Sequence, residues 1–436
     1  MLQAHGFADF LGIDLSGDLN ENPAILTTSL VKCCLMVDGS YKYKAPDIAA
    51  NPEATFCATN RFIADITKYP TLKWVVILGD PGWEAYTFPE HGLHTEGHEI
   101  GFSTALGMYI LTQTKGIKVG PIGYVLPTWN PVRLAVETAW LDQLSKGRTI
   151  VGFARGYQHR WFNLHGQVLR VQVATSTGDE QDQHNRMVFE EVYRILKLCW
   201  ADEAFAYEGK FYKVPSPHER CSWPPVEMTK TMGAPGEIGD DNLLHKISVV
   251  PKPYQKPHPK LFQAFSLSEA TARWCAREGI TPVMLVSYPE SAQRNAQAHF
   301  AEAQMAGRAD VKEPGNDMGG LRQIYIANSR QEALKLAEKG VPGYGWHTFW
   351  GHYGFYEAFP LPGQEGDIPW TLDSMERAHY LYAGTVDDIK RKLAEMVKAC
   401  NPSYLVWWIE QGFSPFPVVK RQLENFSEKI MPEFVG

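Results

Sequence analysis

The sequence predicts a (β/α)8 barrel, and three observations support this. Eight short, mainly apolar segments recur along the 436 residues, and helical patterns separate most of them. No internal repeat or low-complexity tract interrupts the alternation. No G-x-G-x-x-G opens a helix after an early strand, which counts against the alternative, a doubly wound sheet. We expect one barrel domain over residues 1–436, with an N-terminal arm and with insertions after strands 4 and 7, near 214–259 and 341–380.

The first third of the chain supplies the arm and three predicted strands. Residues 1–30 have no clear period and form the expected arm. Helical patterns cover 61–80, where Pro70 interrupts the pattern, and 100–114. The three strands are expected at 31–37, 84–89 and 117–126. Gly and Pro within the third strand indicate a bulge or a close approach of the backbone to a ligand.

The stretch 130–166 combines a helix, a strand and a polar loop. Asn130 and Pro131 are typical of a helix cap and first turn, and Gly147 is typical of a helix end. The predicted apolar face of this helix consists of Val132, Ala135, Val136, Ala139 and Leu144. The apolar run 149–154 predicts the fourth strand. Arg155 follows this strand at its carboxyl end, where barrel enzymes have their active sites.

The remaining chain continues the alternation. An amphipathic helix over 185–200 precedes a hairpin with its turn at Glu208 and Gly209. The last four strands are expected at 261–265, 281–286, 322–327 and 404–409. Helices are expected at 268–278, 329–339, 385–400 and 418–430, and a further helix after the sixth strand ends near residue 305.

Charge and cysteine usage limit the possible partners and the compartment. The formal net charge is -7 and the pI is about 6.1, which gives no electrostatic reason to expect nucleic acid or an anionic membrane as a partner. The 7 cysteines are scattered and form no C-x-x-C pair, so we expect a reducing cytoplasm rather than disulfides or a zinc site. The sequence contains no signal peptide pattern and no membrane-spanning apolar run.

Several side chains after the predicted strands could carry chemistry. His91 follows the second strand, where an imidazole could act as a base, although it could equally be a structural histidine. His94 and His98 could share a metal on a helix, but no H-E-x-x-H pattern supports this and we expect no metal. Arg155 and the Ser266 turn before a helix could hold a phosphate, although Ser268 could simply be an N-cap.

The segment 341–360 interleaves aromatic residues with glycines. This composition suits a lid over an apolar or aromatic substrate, since glycine supplies mobility and the aromatics supply apolar surface. A dimer contact or a packed surface loop would have the same composition. The candidate lid residues are Trp346, Phe349, Trp350 and Tyr353.

Ordered motifs over residues 60–436 resemble the bacterial luciferase-like flavin-dependent monooxygenases. PVRLAVETAWLDQLSKGR, a strand and ARGYQ match that family's signature, and GWEAYTFPEHG is similar to its second strand. IKVGPIGYVLP is similar to its third strand, and FQAFSLSEATARWCAREG to its phosphate-binding turn. NRMVFEEVYRILKLCW, FAYEGKFYKV and GTVDDIKRKLAEM extend the resemblance.

The resemblance implies a dimeric barrel that uses reduced FMN and O2 to oxygenate an organic, apolar or aromatic small molecule through a C4a-(hydro)peroxyflavin. A separate NAD(P)H:flavin reductase would supply the FMNH2. His91 would be the catalytic histidine, and a non-prolyl cis peptide would underlie the flavin ring. Cofactor contacts would come from Glu90, Ile122, Gly123, Arg155, Tyr157, Ser266, Leu267 and Ser268.

Three positions depart from the family pattern and keep other functions open. Gly92 replaces a second histidine, Trp161 replaces a common acidic residue, and Val386 replaces a proline. The main alternative is an oxidoreductase of the same superfamily that uses the deazaflavin F420 for hydride transfer without O2. A metal-dependent hydrolase using His91, His94 and His98, or a catalytically silent flavin-binding relative, would also be compatible with parts of the sequence.

Overall fold

The computed structural model describes most of the chain from residue 104 onward and a few strands before it. The described residues are 36–37, 40–41, 74–79, 82–88, 104–173, 178–201, 203–217, 223–266, 268–285, 288–348, 350–353, 371–410 and 413–434. Within these ranges, no helix is both long enough and apolar enough to cross a bilayer.

Short strands alternate with longer helices along the described chain. The strands are β1 (Met36–Val37), β2 (Ser40–Tyr41), β3 (Trp74–Gly79), β4 (Gly82–Phe88), β5 (Lys118–Pro121), β6 (Tyr124–Val125), β7 (Ile150–Ala154), β8 (Tyr207–Glu208), β9 (Lys213–Val214), β10 (Lys260–Ser266), β11 (Thr281–Met284), β12 (Gly319–Ile326), β13 (Leu381–Gly384) and β14 (Tyr404–Glu410). The main helices are α1 (Thr104–Gln113), α2 (Pro131–Ser145), α3 (His159–His165), α4 (Glu180–Trp200), α5 (Val226–Met232), α6 (Glu269–Glu278), α7 (Pro289–Met305), α8 (Arg330–Lys339), α9 (Leu372–Arg377), α10 (Val386–Cys400) and α11 (Phe416–Lys429).

A ten-stranded sheet organises these elements. Its order is β5-β4-β3-β14-β12-β11-β10-β7-β6, and β13 pairs with β12. The pairings are parallel except those of β3, which runs antiparallel to both β14 and β4. A bridge between Val119 and Thr149 also connects β5 to the start of the β7 region. The chain is therefore an α/β protein with a mainly parallel sheet, as the alternation predicts.

Of the first predicted strand, 31–37, the structure describes only Met36–Val37, which is a strand but does not join the main sheet. Of the helix predicted over 61–80, the structure describes only 74–79, where the prediction is wrong. Met36–Val37 pairs with Ser40–Tyr41 in a separate two-stranded sheet. The strand that joins the main sheet is instead Trp74–Gly79, within the predicted helix over 61–80. Its sequence WVVILG is β-branched and continuously apolar, and a run of six residues is too short for its period to distinguish strand from helix.

Strand β13 was not predicted from the sequence. It has only four residues, LYAG, and all four are buried. It pairs with the second half of β12, from Gln323 opposite Leu381 to Ile326 opposite Gly384. A four-residue apolar segment directly before a helix start carries too little periodicity to be separated from its flanks.

The two faces of the sheet carry different apolar clusters. The inner cluster draws residues from strands all along the sheet, including Ala85, Ile122, Ile150, Phe262, Ala264, Val283, Leu321, Tyr325, Leu381, Val406 and Trp408. The outer face packs against the helices. Ile324 and Trp407, for example, pack with Ile389 and Leu393 of α10 and Phe426 of α11. Burial of both faces explains why the parallel strands are nearly continuous apolar runs.

Helix α2 has the predicted cap and, except for Leu144, the predicted buried face: Ala135 and Ala139 are buried, and Val132 and Val136 pack against the core. The Asn130 side chain accepts a hydrogen bond from the Arg133 amide at 3.1 Å, as the cap signal predicts. Leu144 was expected in the core, but it is 57% exposed. Asp142 is fully buried instead, because Gln255 donates to its carboxylate from the backbone at 2.8 Å and from the side chain at 2.7 Å.

The segment 214–259 is held to helices α2 and α4 by polar contacts. Gln255 binds Asp142 of α2, and Lys252 Nζ donates to the Cys199 carbonyl at 3.1 Å. The preceding hairpin is fixed to α4 by Glu191. This carboxylate accepts three backbone N–H bonds, from Lys210, Phe211 and Tyr212, at 2.8–3.0 Å. The segment and the hairpin before it are thus attached to helices α2 and α4 at several points.

Candidate functional site

A small cleft opens on the outer face of β7 and β10, between helices α4 and α6. It is lined by Arg155, Arg186, Phe189, Glu190, Gln263, Thr271 and Trp274 and has a volume of about 30 Å³. We call this site the anion cleft. The loop after β7 supplies Arg155, α4 supplies Arg186, and α6 supplies Thr271 near its N-terminus. The structure thus brings the predicted Arg155 and the start of α6 to one site.

The two arginines give the anion cleft a surplus of positive charge. Arg155 Nη1 donates to Asp182 Oδ1 at 3.0 Å, and the two side chains are 24% and 11% exposed. Burial lowers the pKa of the Arg155 guanidinium, the Asp182 carboxylate opposes this shift, and the nearby Arg186 adds to it. Within the described residues, no carboxylate forms an ion pair with Arg186. A bound anion would therefore relieve the repulsion between two neighbouring guanidinium groups.

Gln263 adds a buried polar group that lacks a protein partner. Its side chain is 5% exposed, and its Oε1 atom has no hydrogen bond to any residue that the structure describes. Buried amides are normally hydrogen-bonded, so an orphaned oxygen in a cleft indicates a bound molecule or water. Sequence analysis missed Gln263 and Arg186. The signal for Gln263 was available, since it is the one amide within the apolar run of β10.

The predicted phosphate turn is described only in part. Ser266 ends β10, Leu267 lies outside the described residues, and Ser268 caps α6. The Ser268 hydroxyl accepts from the Thr271 amide at 3.3 Å and lies 3.0 Å from the Thr271 hydroxyl. The N-cap interpretation of Ser268 is therefore correct for this side chain. Whether the turn also binds phosphate stays a prediction.

A non-prolyl cis peptide links Ile122 and Gly123, at the position that the resemblance implies. Gly123 is small for a reason that the sequence did not reveal. A Cβ atom there would lie 2.5 Å from the backbone of Gly152 and Phe153. A Cβ on Gly152 would in turn lie 2.5 Å from the Pro121 carbonyl oxygen. Glycine is thus required because two neighbouring strands meet backbone to backbone.

The loop after β7 also carries Tyr157 and Trp161. The Tyr157 hydroxyl accepts from Gln158 Nε2 at 3.0 Å. Trp161 stands where an acidic residue is common in the family, a departure that puts a polar contact at this position in doubt. Its indole Nε1 instead donates to the Thr128 hydroxyl at 3.2 Å and its ring packs on His165 at 4.4 Å. The bond fixes helix α3 against the turn after β6.

The predicted lid contributes buried aromatic side chains. Trp346 and Trp350 are each 1% exposed. The Trp350 ring lies 4.8 Å from Trp408 of β14 and 5.4 Å from Tyr157, and Trp346 lies 5.9 Å from Tyr380. We call these five residues the aromatic group. Phe349 and the Tyr353 side chain lie outside the described residues.

The glycines of this segment serve close packing. A Cβ on Gly340 would lie 2.3 Å from the Tyr325 hydroxyl, and one on Gly343 would lie 2.1 Å from the Glu338 carbonyl oxygen. One on Gly345 would lie 2.9 Å from the Phe413 ring. The five residues Val341–Gly345 form a π-helical turn, a feature that is frequent at functional sites. The described part of the segment is therefore built into the core, and its role as a lid stays a prediction.

The predicted catalytic residue cannot be placed. Glu90, His91, His94 and His98 all lie outside the described residues. Among the residues that are described, no group of three or more His, Cys, Asp or Glu side chains could hold a metal.

Comparison with known proteins identifies the family. A family model described as luciferase-like monooxygenase matches residues 70–400. The 3,6-diketocamphane 1,6-monooxygenase of Pseudomonas putida is 24% identical over 298 residues, which cover 66% of this chain and 72% of that protein. The oxygenase component of a flavin-dependent trigonelline monooxygenase from Acinetobacter baylyi is 23% identical over 364 residues, which cover 79% of this chain and 85% of that protein.

Solved structures share the fold. The oxygenating constituent of the 3,6-diketocamphane monooxygenase of Pseudomonas putida, a type II Baeyer–Villiger enzyme solved with FMN, matches with a TM-score of 0.60 at 20% identity, over 81% of this chain and 89% of that one. A coenzyme F420 dependent tetrahydromethanopterin reductase from Methanopyrus kandleri matches with a TM-score of 0.52 at 16% identity, over 81% and 92% of the two chains. Because the family model spans most of the sequence, this chain belongs to the luciferase-like monooxygenase family.

Proposed function

We propose that the protein is the oxygenase component of a two-component flavin monooxygenase, which uses FMNH2 and O2 to oxygenate an apolar or aromatic organic molecule. The observation that carries this proposal is the anion cleft, where two arginines and an orphaned amide oxygen lie beside the start of α6. Family membership and the two flavin-named relatives agree with it. Oxygen insertion next to a ketone, hydroxylation and epoxidation are all compatible with these residues.

The anion cleft suits the phosphate group of a flavin mononucleotide. Arg155 and Arg186 offer guanidinium donors, and Thr271 offers a hydroxyl near a helix N-terminus. Asp182 would orient Arg155 without neutralising both arginines. The flavin would supply the reaction with O2, while the protein binds, orients and shields it. Ile122 and Gly123 would support its ring, with Glu90, Tyr157, Ser266, Leu267 and Ser268 as further contacts.

His91 would hold or move a proton at the reacting oxygen, since it comes shortly after β4 in the sequence, and barrel enzymes have their active sites at the carboxyl ends of their strands. Trp346 and Trp350, with Phe349 and Tyr353, would exclude water from the reaction site. We further propose that the sheet closes as a (β/α)8 barrel with insertions near 214–259 and 341–380, that the enzyme is a homodimer and that an NAD(P)H:flavin reductase supplies FMNH2.

The alternative is hydride transfer with F420, which one structural neighbour favours by its name. An anaerobic titration with FMNH2 and, separately, with F420 distinguishes the two. We expect binding of FMNH2 and, after air is admitted, consumption of O2 that depends on a flavin reductase and NAD(P)H. Tight binding of F420 without consumption of O2 would reject the monooxygenase.

A further inference from the structure

The anion cleft has two layers, and Gln263 belongs to the lower one. Its strand neighbours Phe262 and Ala264 belong to the inner cluster, so the alternation of the strand turns Gln263 outward, towards α4 and α6. Gln263 pairs with Phe153 of β7, and Arg155 follows two residues later, just past the end of that strand. Arg155 therefore lies about one pleat repeat closer to the carboxyl end of the sheet than Gln263.

The two helices beside the cleft show the same order. Both begin at the carboxyl end of the sheet, since Asp182 in the first turn of α4 binds Arg155 and α6 follows β10 directly. Arg186 and Thr271 thus lie about one turn closer to that end than Phe189 and Trp274, whose ring centroids are 5.4 Å apart. The upper layer of the cleft consists of Arg155, Arg186 and Thr271, and the lower layer consists of Gln263, Phe189 and Trp274.

The two arginines of the upper layer differ in what orients them. Arg155 Nη1 donates to the Asp182 carboxylate at 3.0 Å. For Arg186, the described part of the chain supplies neither an ion pair nor a hydrogen bond to the guanidinium group. The cleft thus contains one guanidinium group whose donors the protein leaves unused.

Gln263 carries the complementary group, an acceptor without a donor. Its Oε1 is buried and receives no hydrogen bond from any described residue. A guanidinium group has five N–H donors, so Arg186 can bind a carbonyl oxygen below it and a phosphate oxygen beside it at the same time. An amide oxygen is neutral, and it therefore orients the guanidinium group without cancelling the positive charge that attracts an anion.

We propose that Gln263 is a positioning residue for the flavin phosphate: when the phosphate binds, Arg186 turns into the cleft, donates to Gln263 Oε1 and closes on the phosphate. This inference rests on the proposed function. Each phosphate-binding arginine then has its own acceptor, a carboxylate for Arg155 and a neutral amide for Arg186. The bond between Arg186 and Gln263 forms only with the anion, because the repulsion between the two guanidinium groups is relieved at that moment.

The test measures how strongly the protein prefers FMNH2 to reduced riboflavin, which has the same ring and ribityl chain but no phosphate. Anaerobic titration of the full chain gives both dissociation constants, and we call their ratio the phosphate preference. We expect Arg186→Ala to lower this preference about 10-fold or more and Gln263→Met to lower it about 3- to 10-fold, with the affinity for reduced riboflavin retained. Gln143→Met removes an amide of α2, outside the cleft, and should leave both constants unchanged.

A double variant shows whether the two side chains act through one another. When Arg186→Ala is combined with Gln263→Met, we expect a phosphate preference no lower than that of Arg186→Ala alone, because Gln263 acts only by orienting Arg186. A double variant that lost the product of the two single effects would overturn the proposal. An unchanged preference in Gln263→Met would also overturn it, and so would an equal loss of affinity for both flavins, which a merely structural role would produce.

Thermal unfolding checks that the variants fold. Gln263→Met removes an amide oxygen that has no partner in the described chain, so we expect its Tm to be unchanged or higher. If this variant does not fold, Gln263→Asn takes its place, since it keeps an amide in β10 but withdraws it from Arg186 by one methylene. We expect the same loss of phosphate preference, and a retained preference would overturn the proposal.

Two outcomes separate this inference from the proposed function. A wild type that binds both reduced flavins equally would overturn the inference and place the flavin phosphate elsewhere. A wild type that binds neither would contradict the proposed function, and inorganic phosphate would then decide the inference. A rise in the Tm of the wild type with phosphate that is smaller in Arg186→Ala and in Gln263→Met would support the pairing of the two side chains, whereas no rise, or an equal rise in all three proteins, would overturn it.

Discussion

The loop after β7 contributes one side chain to the anion cleft and one to the aromatic group, yet these two regions differ in the kind of side chain that builds them. Arg155 and Tyr157 are two residues apart, one lining the cleft and the other packing on Trp350. The cleft is lined by charged, polar and aromatic side chains, and its Arg155 is partly exposed and paired with Asp182. The aromatic group consists largely of rings that are nearly or fully buried. The cleft can therefore lose a side chain and stay folded, whereas the aromatic group contributes directly to the stability of the core.

Trp350→Ala should have the largest effect on folding. Removal of a fully buried tryptophan ring is expected to lower the free energy of unfolding by about 3–5 kcal/mol. Urea denaturation measures this difference. Trp140→Ala is the control, because Trp140 is 50% exposed on α2 and its loss should cost far less. Similar losses in the two variants would show that the aromatic group is not part of the packed core.

His299 lies outside the anion cleft and the aromatic group, and it tests whether a buried imidazole without a hydrogen bond lowers the stability of the fold. It is fully buried on α7, neither ring nitrogen has a hydrogen bond within the described chain, and burial lowers its pKa to about 4. The unfolded chain takes up a proton near pH 6.5, and the folded chain does so only near pH 4. Stability should therefore fall as the pH decreases through this window, by roughly 3 kcal/mol in total.

The measurement for His299 is the free energy of unfolding between pH 7 and pH 4. His299→Leu should remove most of this acid-dependent loss. Asn295→Leu, one turn earlier on the same helix, removes a buried amide that does not titrate and should keep the slope. If His299→Leu retained the full slope, other groups would be responsible for it.

Arg155→Ala should have the smallest effect on stability and a specific effect on binding. Loss of a charge-assisted hydrogen bond is expected to weaken the binding of FMNH2 by about 1–3 kcal/mol. An anaerobic titration measures the affinity. Arg194→Ala removes an exposed arginine of α4 and should leave the affinity for FMNH2 unchanged.

Because Arg155→Ala leaves Asp182 unpaired, the double variant with Asp182→Asn should regain stability without regaining affinity for FMNH2. Full affinity in Arg155→Ala would place the phosphate elsewhere.

The same contrast explains what the sequence could reveal. Arg155 and the cap at Ser268 were found because each follows a strand or opens a helix, so local pattern and motif were sufficient. Arg186 and Gln263 were not predicted. They line the cleft only because α4 packs beside β10, and a local sequence pattern does not show which elements pack together. The aromatic segment was noticed for its composition, but its glycines were assigned to mobility when their role is close packing. Strands β3 and β13 were not predicted, because the spacing of apolar residues in a run of four to six does not distinguish a strand from a helix.

Three glycines, in β5, in the turn between β5 and β6, and in β7, have a practical consequence. Gly120, Gly123 and Gly152 let two backbones meet at distances that no side chain allows. Side chains elsewhere on the inner face of the sheet can be substituted to accept new substrates. At these three glycines, however, any added side chain would push the two backbones apart. We expect libraries randomised at these three positions to return glycine.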